Sequence, residues 1–375
     1  MVVGLLKEPQ FEKRVALLPE AVAVLKKLNV DVLVETNAGV TAYVSDADYQ
    51  AAGANVVSRD KVFSGADVLV KINALTSEEV NSCKPNQVVL AVLSPYQNKD
   101  LIKSLAEKLI TSFSLDTIPR TTRAQSMDIL SSMATVAGYK AVLDAALHLP
   151  KFFPMFMSAA GTIKPAKILI LGAGVAGLQA IATSRKLGAV VEVFDVRAAV
   201  KEEVQSLGGK FIEVEGAKDD KAAGGYAVEQ TEEFKQKQRQ LIHDHAVKAN
   251  VIITTAQIPG KQAPVLVTKE TVDNMIPGAV IIDLAASTGG NCEVTQNGKT
   301  IVHNQVTIIG KSDYPSDMPF DASKMFGNNV INFLKLMITK EGGLHLNFDD
   351  DIVKGTCITH NKEIVNERVK QTINA

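Results

Sequence analysis

The stretch ILILGAGVAGLQAIATSRKLGAVVEVFDVR, Ile168 to Arg197, decides the fold. A branched apolar run leads straight into Gly172, Gly174 and Gly177, spaced G-x-G-x-x-G. A helix-period segment and a second branched run ending at Asp195 follow. That order is strand, glycine turn, helix, strand, the first unit of a dinucleotide-binding sheet. Gly172 permits the tight turn, Gly174 lets the backbone approach a pyrophosphate, and Gly177 allows close helix–strand packing. The N–H groups at the helix start face the phosphates. Asp195 stands 23 positions after Gly172, where a carboxylate accepts ribose hydroxyls and repels a 2′-phosphate. Arg197 pulls the other way, because a nearby guanidinium suits a 2′-phosphate. The same residues also fit a plain turn with Asp195 capping the segment at Ala198. All four positions together favour the nucleotide.

Working outward, AKILIL, AVVEVFD, KFIEVE, NVIITT, GAVIIDL and VTIIG read as six strands of a doubly wound sheet. Upstream, MVVGLL, VDVLVE, DVLVKI and QVVLAVL alternate with helical patterns and imply a parallel sheet of their own. Pro19 suits a first helical turn, and Leu18, Val22, Leu25 and Leu28 form one apolar stripe. The expected fold class is α/β, two Rossmann-like parallel-sheet domains separated by a cleft, the second a six-stranded doubly wound dinucleotide-binding domain. Residues 1–130 with 320–375 make the first domain and 131–319 the second. Helices over 123–148 and 321–338 connect them, and Leu344 to Val365 returns to the first domain as a hairpin-like segment. The charged, glycine-containing stretch from Glu215 to Phe234 reads as a surface loop. Its Gly225 and Tyr226 suit either a lid over bound nucleotide or a solvated linker, and composition alone favours the linker.

A net charge of −1 gives no broad attraction for nucleic acid or acidic lipid. No uninterrupted apolar run reaches the roughly 18 residues of a membrane span, and the first residues lack a secretory signal. Cys83, Cys292 and Cys357 lie far apart without zinc or disulfide spacing, which points to a reducing cytoplasm and no metal centre. All six histidines fall at or after position 148, so the N-terminal 130 residues offer no histidine acid/base. His243 and His245 read as solvated-face residues, and Asp349 to Asp351 as a solvated turn. Lys71 and Arg14 could hold a substrate carboxylate or form ordinary ion pairs.

The segment PRTTRAQSMDILSSMATVAGYK, Pro119 to Lys140, is unusually polar for a helix ahead of a nucleotide site. Gln125, Asp128 and Ser131 recur every third residue and share a face, with Arg120 just upstream. A hydroxyl, a carboxylate and a guanidinium suit a carboxamide, which offers a donor pair and an acceptor, as at the nicotinamide end of NAD. Thr122 and Gln125 also fit a capping box.

These stretches, with GGYA, TTAQIPGKQAPVLVT and GAVIIDLAASTGGNCE, closely resemble the NAD(H)-binding domain of proton-translocating NAD(P) transhydrogenase, over essentially the whole chain. The resemblance implies that Arg120, Asp128 and Ser131 hold the NAD(H) nicotinamide, while Gln125 reaches the ribose of NADP(H) on a partner. It adds Val175, Ala176, Val196, Arg197 and Ala256 to the nucleotide site, and raises Gly225 and Tyr226 from linker to lid. Gln257, Gln262 and Ser287-Thr288 depart from the family's usual residues at the rim. Hydride would pass directly between two nicotinamides, which explains the absent acid/base. Catalysis is then positioning, by Gln125, Asp128 and Arg120, and exclusion of water. Net drive would come from a membrane partner, at roughly 2.3 kcal/mol per charge per 100 mV. The chain would work as a homodimer, cytoplasmic and peripheral on the inner face of the cell membrane, docked on NADP(H)-binding and membrane-spanning components. An alternative is alanine dehydrogenase, which shares the KE…RVA pattern and would use Arg14 and Lys71, but needs a histidine in the N-terminal segment, where this chain has none. A non-catalytic NAD-sensing module would use the glycine turn and not the polar helix face.

Overall fold

The computed structural model describes residues 1–214, 231–258 and 261–374. The chain divides into two compact units, Met1–Met133 with Pro315–Ala375, and Ala134–Tyr314.

In the first unit the runs named above become β1 (Val2–Leu5), β2 (Asp31–Glu35), β4 (Val68–Asn73) and β5 (Val88–Val92), joined by β3 (Asn55–Val57) and β6 (Thr111–Ser114). All pair in parallel, which buries both faces and explains their near-continuous Val and Leu. Helix α1 (Pro19–Lys27) has Pro19 in its first turn, and it seats Val22 and Leu25 in the core with Leu18 just ahead of it. The long helix α2 (Ile129–His148) carries the chain onward.

The second unit includes a small antiparallel ribbon, β7 (Phe156–Ser158) and β8 (Gly161–Ile163). Its main sheet holds the six expected strands, β9 (Lys167–Leu171), β10 (Val190–Phe194), β11 (Lys210–Ile212), β12 (Val251–Thr254), β13 (Val280–Asp283) and β15 (Val306–Gly310). Their spatial order is β11-β10-β9-β12-β13-β15, the doubly wound 3-2-1-4-5-6 arrangement. Among the described residues a seventh strand, β14 (Thr300–His303), adds antiparallel to β15 at the edge. This corrects the six-strand expectation. The turn between them is Asn304-Gln305, both at positive φ (46° and 63°), the conformation a two-residue hairpin needs.

The chain then returns to the first unit. The last strands, β16 (Cys357–His360) and β17 (Glu363–Ile364), extend its sheet antiparallel beyond β6, giving eight strands among the described residues. Ser112 on β6 is fully buried yet satisfied, its hydroxyl 2.7 Å from that of Thr359. The helix expected over 321–338 runs over Pro319–Leu334 and packs Phe333 edge-on to Phe113, ring centroids 5.6 Å apart. Among the described residues no helix is long and apolar enough to cross a membrane.

Candidate functional site

Each glycine of the fingerprint meets a distinct constraint. Gly172 sits at φ +106°, a backbone state that L side chains rarely adopt. Gly174 caps the next helix, α3 (Val175–Lys186), where the four leading N–H groups have no carbonyl one turn back and no side chain caps them. A Cβ on Gly174 would meet nothing within 4 Å, so the space beside Gly174 is open. A Cβ on Gly177 would overlap the carbonyl oxygen of Gly172. Val175 is exposed at the helix mouth, and Ala176 is half-buried beside it.

Asp195 follows β10 with its side chain 6% exposed. Its Oδ2 accepts the backbone N–H of Ala173 at 2.7 Å, and Oδ1 accepts that of Arg197 at 2.9 Å. The Arg197 guanidinium adds Nε to Oδ1 at 2.9 Å and Nη2 to Oδ2 at 2.7 Å. The carboxylate therefore ties the glycine turn to the end of β10, and the guanidinium expected to compete for a 2′-phosphate is already paired with it. Val196 packs against the apolar cluster beneath.

Across the carboxyl ends of β12 and β13 lies a polar network that the sequence did not announce. Buried Asp283 accepts hydrogen bonds from Thr254 Oγ1 (2.9 Å), Asn291 N (2.8 Å), Cys292 N (3.0 Å) and Thr295 Oγ1 (2.7 Å). Asn291 in turn clamps Ala256, accepting its N–H at 3.0 Å and donating to its carbonyl at 2.9 Å. Gln257 donates to the Leu284 carbonyl at 3.2 Å, and Gln262 lies over Gly289, so two of the residues that depart from the family pattern bridge the same two loops. Gly225 and Tyr226 lie outside the described residues.

The polar segment near 120 folds differently from expectation. Thr122–Met127 is a 3₁₀ turn, and α2 begins only at Ile129. Asp128 stands between them with extended backbone, and its carboxylate accepts Ser131 N at 3.0 Å and the Ser131 hydroxyl at 2.6 Å. Asp128 supplies the side-chain cap at the start of α2, and the expected Thr122–Gln125 capping box does not form: the residue capping the 3₁₀ turn is Thr121, with no side-chain bond. Arg120 and Gln125 are exposed, Asp128 and Ser131 half-buried.

Other readings resolve as ion pairs. Lys71, 2% exposed, puts Nζ 2.7 and 2.8 Å from the carboxylate of Glu79, and Arg14 is held by Glu12 at 2.6 Å. Asp350 and Asp351 are not simply solvated, since both pair with Arg123 and Asp350 caps the following helix. His243 and His245 are not on a free face either: they bond Thr271 at 3.0 Å and Glu192 at 2.6 Å. The three cysteines are free, and the described residues hold no cluster of His, Cys, Asp and Glu fit for a metal.

Residues 4–137 match the family described as "Alanine dehydrogenase/PNT, N-terminal domain", and residues 141–367 its C-terminal domain. The chain is 47% identical over 363 residues to the first part of NAD(P) transhydrogenase subunit alpha of Rhodospirillum rubrum, covering 94% of each. The chain belongs to the NAD(P) transhydrogenase alpha-subunit family. A crystal structure of transhydrogenase from Sinorhizobium meliloti superposes with a TM-score of 0.90 at 42% identity, over 97% of this chain and 100% of that one. An L-alanine dehydrogenase structure superposes at 0.84 with 24% identity over 100% and 99%, which shows a shared fold. Within the alpha-subunit family, then, the glycine turn, Asp195 and the Asp128–Ser131 cap are the features to be explained.

Proposed function

We propose that this chain is the NAD(H)-binding component of a proton-translocating transhydrogenase, passing hydride from NADH held here to NADP⁺ held on a partner component. The observation that carries the reading is the uncapped start of α3 above open space at Gly174, with Asp195 closing the same turn. The pyrophosphate lies against the N–H groups of Val175, Ala176 and Gly177, where helix geometry favours an anion. Asp195, Val196 and Arg197 take the adenosine ribose, and Ala256 lines the opposite side. Gly225 and Tyr226 close over the nucleotide. Arg120, Asp128 and Ser131 hold the nicotinamide carboxamide, and Gln125 reaches the NADP(H) of the partner.

NADH supplies the hydride, so the chain needs no proton donor at the reacting carbon; its residues orient the ring and keep water out. The alanine dehydrogenase reading would need Lys71 and Arg14 for a carboxylate, and Glu79 and Glu12 already engage them. A homodimer is supported by the β7–β8 ribbon, which exposes Phe156, Met157 and Ile163 beside Phe152 and Met155. The chain works in the cytoplasm, at the inner face of the membrane, through membrane-spanning partners.

The purified chain is expected to bind NADH and to catalyse nothing with pyruvate and ammonia. Mixed with an NADP(H)-binding component of the family, it should transfer hydride between the two nucleotides without any membrane. Pyruvate amination by the chain alone would establish the dehydrogenase instead, and silence in both assays despite NADH binding would establish a sensing module.

A further inference from the structure

We propose that Gly138, in the middle of α2, is a positioning residue for the pyrophosphate-binding turn. The inference rests on the nucleotide reading above. A Cβ built on Gly138 would overlap the carbonyl oxygen of Ala176 and stand 2.9 Å from its carbonyl carbon. Ala176 is the second residue of α3, and its carbonyl belongs to the same peptide plane as the N–H of Gly177. Because that plane is rigid, pushing the oxygen aside re-aims the N–H. The turn has no room to yield on its other side, since Gly177 already abuts the carbonyl of Gly172. The first turn of α3 is therefore held between two backbones, α2 on one side and the end of β9 on the other.

The sequence of α2 is built for this approach. Ala134, Gly138, Ala141 and Ala145 recur at intervals of four, three and four, so one face presents only small side chains. Ala141 and Ala145 are fully buried in the same apolar cluster as Ile170 of β9 and Ala180 of α3, so the helix is seated on the very elements that flank the glycine turn. At Gly138 the approach is to the backbone whose N–H groups are assigned to the phosphates. Gly138 thus fixes the aim of those N–H groups without touching the nucleotide.

The test is Gly138→Ala, with Tyr139→Ala, exposed on the same helix, as control. Affinities are measured for NADH, ADP-ribose and adenosine, together with the melting temperature of the ligand-free chain. NADH and ADP-ribose should weaken about tenfold, which corresponds to about 1.4 kcal/mol. Adenosine, which has no phosphate, should change less than about twofold by the same conversion. Equal weakening of all three ligands, or no weakening of any, would overturn the proposal. If the variant does not fold, hydrogen exchange on the unaltered chain decides: NADH should slow exchange of the amides around Gly138 as well as those of 175–178. Protection confined to α3 would overturn it. An unaltered chain that binds no nucleotide would instead remove the function reading itself.

Discussion

Arg197 grips both carboxylate oxygens of Asp195, Nε on Oδ1 at 2.9 Å and Nη2 on Oδ2 at 2.7 Å, within a turn two residues long. A free guanidinium beside the adenosine ribose would invite a 2′-phosphate. One already engaged by an aspartate is less available to it, and the carboxylate there suits ribose hydroxyls, which a 2′-phosphate replaces. The unaltered chain should therefore prefer NADH over NADPH strongly. Asp195→Asn should lose about 1.5–3 kcal/mol of NADH binding, the range for a hydrogen bond to a charged group. It should also narrow the preference, because the carboxylate that suits the ribose hydroxyls is gone. Fluorescence titration with both nucleotides checks this, and equal affinities in the unaltered chain would refute it.

Two glycines of one motif should respond oppositely to alanine. At Gly177 the added methyl overlaps the Gly172 carbonyl, so Gly177→Ala should lower stability by about 1–3 kcal/mol, as overpacking does. At Gly174 the methyl enters open space at φ −77°, so stability should stay within about 0.5 kcal/mol. NADH binding should nonetheless fall in Gly174→Ala, because that space is assigned to the pyrophosphate. Urea unfolding and NADH titration on both variants separate the effects. A Gly174→Ala chain that binds NADH normally would move the phosphate elsewhere.

What the sequence carried was whatever a single residue type imposes on the backbone. Gly172, Gly174 and Gly177 are legible because a turn at φ +106°, an open helix mouth and a close carbonyl each exclude a side chain. The central strands are legible because strands buried on both faces need unbroken apolar runs. Edge strands do not, which is why Thr300–His303 is not announced by its residues; Thr111–Ser114, paired on both sides and fully buried, hides for another reason, since three of its four residues carry hydroxyls. Gly138 was hidden for a related reason: a lone glycine in a helix says nothing about which backbone approaches it. The segment at 122–131 misled because its spacing is helical, whereas Asp128 turns its carboxylate onto Ser131 N and competes with the backbone ladder. Asp283 and Asn291 are eight residues apart, and only the folded loops bring their hydrogen-bond partners together.

The acid limb of stability should depend on Glu12. Burial alone would raise its carboxyl, but hydrogen bonds from Arg14 and the charge of its guanidinium outweigh that and hold it below the ordinary range. With the folded value depressed, its contribution is fully present above the unfolded value, roughly pH 4.3, and is lost as pH falls through the folded value. Glu12→Gln should therefore be less stable than the unaltered chain at pH 7, and the gap should close toward pH 3. Urea midpoints across pH 3–7 test the sign. A gap that widens on acidification would show that burial governs Glu12.

The buried pair Lys71–Glu79 should be asymmetric, and the asymmetry bears on function. Glu79 has other partners besides Lys71: Arg59 pairs with it, and it accepts the N–H of Thr76 at 2.7 Å. Among the described residues the Lys71 ammonium, 2% exposed, hydrogen-bonds only Glu79. Glu79→Gln thus strands a buried cation and should cost about 3–5 kcal/mol, whereas Lys71→Met leaves a carboxylate still paired and should cost less. The double variant Glu79→Gln with Lys71→Met should recover much of the loss, since the stranded charge is gone and Arg59 keeps Glu35 at 2.8 Å. If Lys71 serves this pair and no substrate, Lys71→Met should also leave NADH affinity and hydride transfer to a partner's NADP⁺ unchanged. Loss of transfer at full NADH occupancy and unaltered fold would mean that Lys71 has a part in the chemistry that its ion pair conceals.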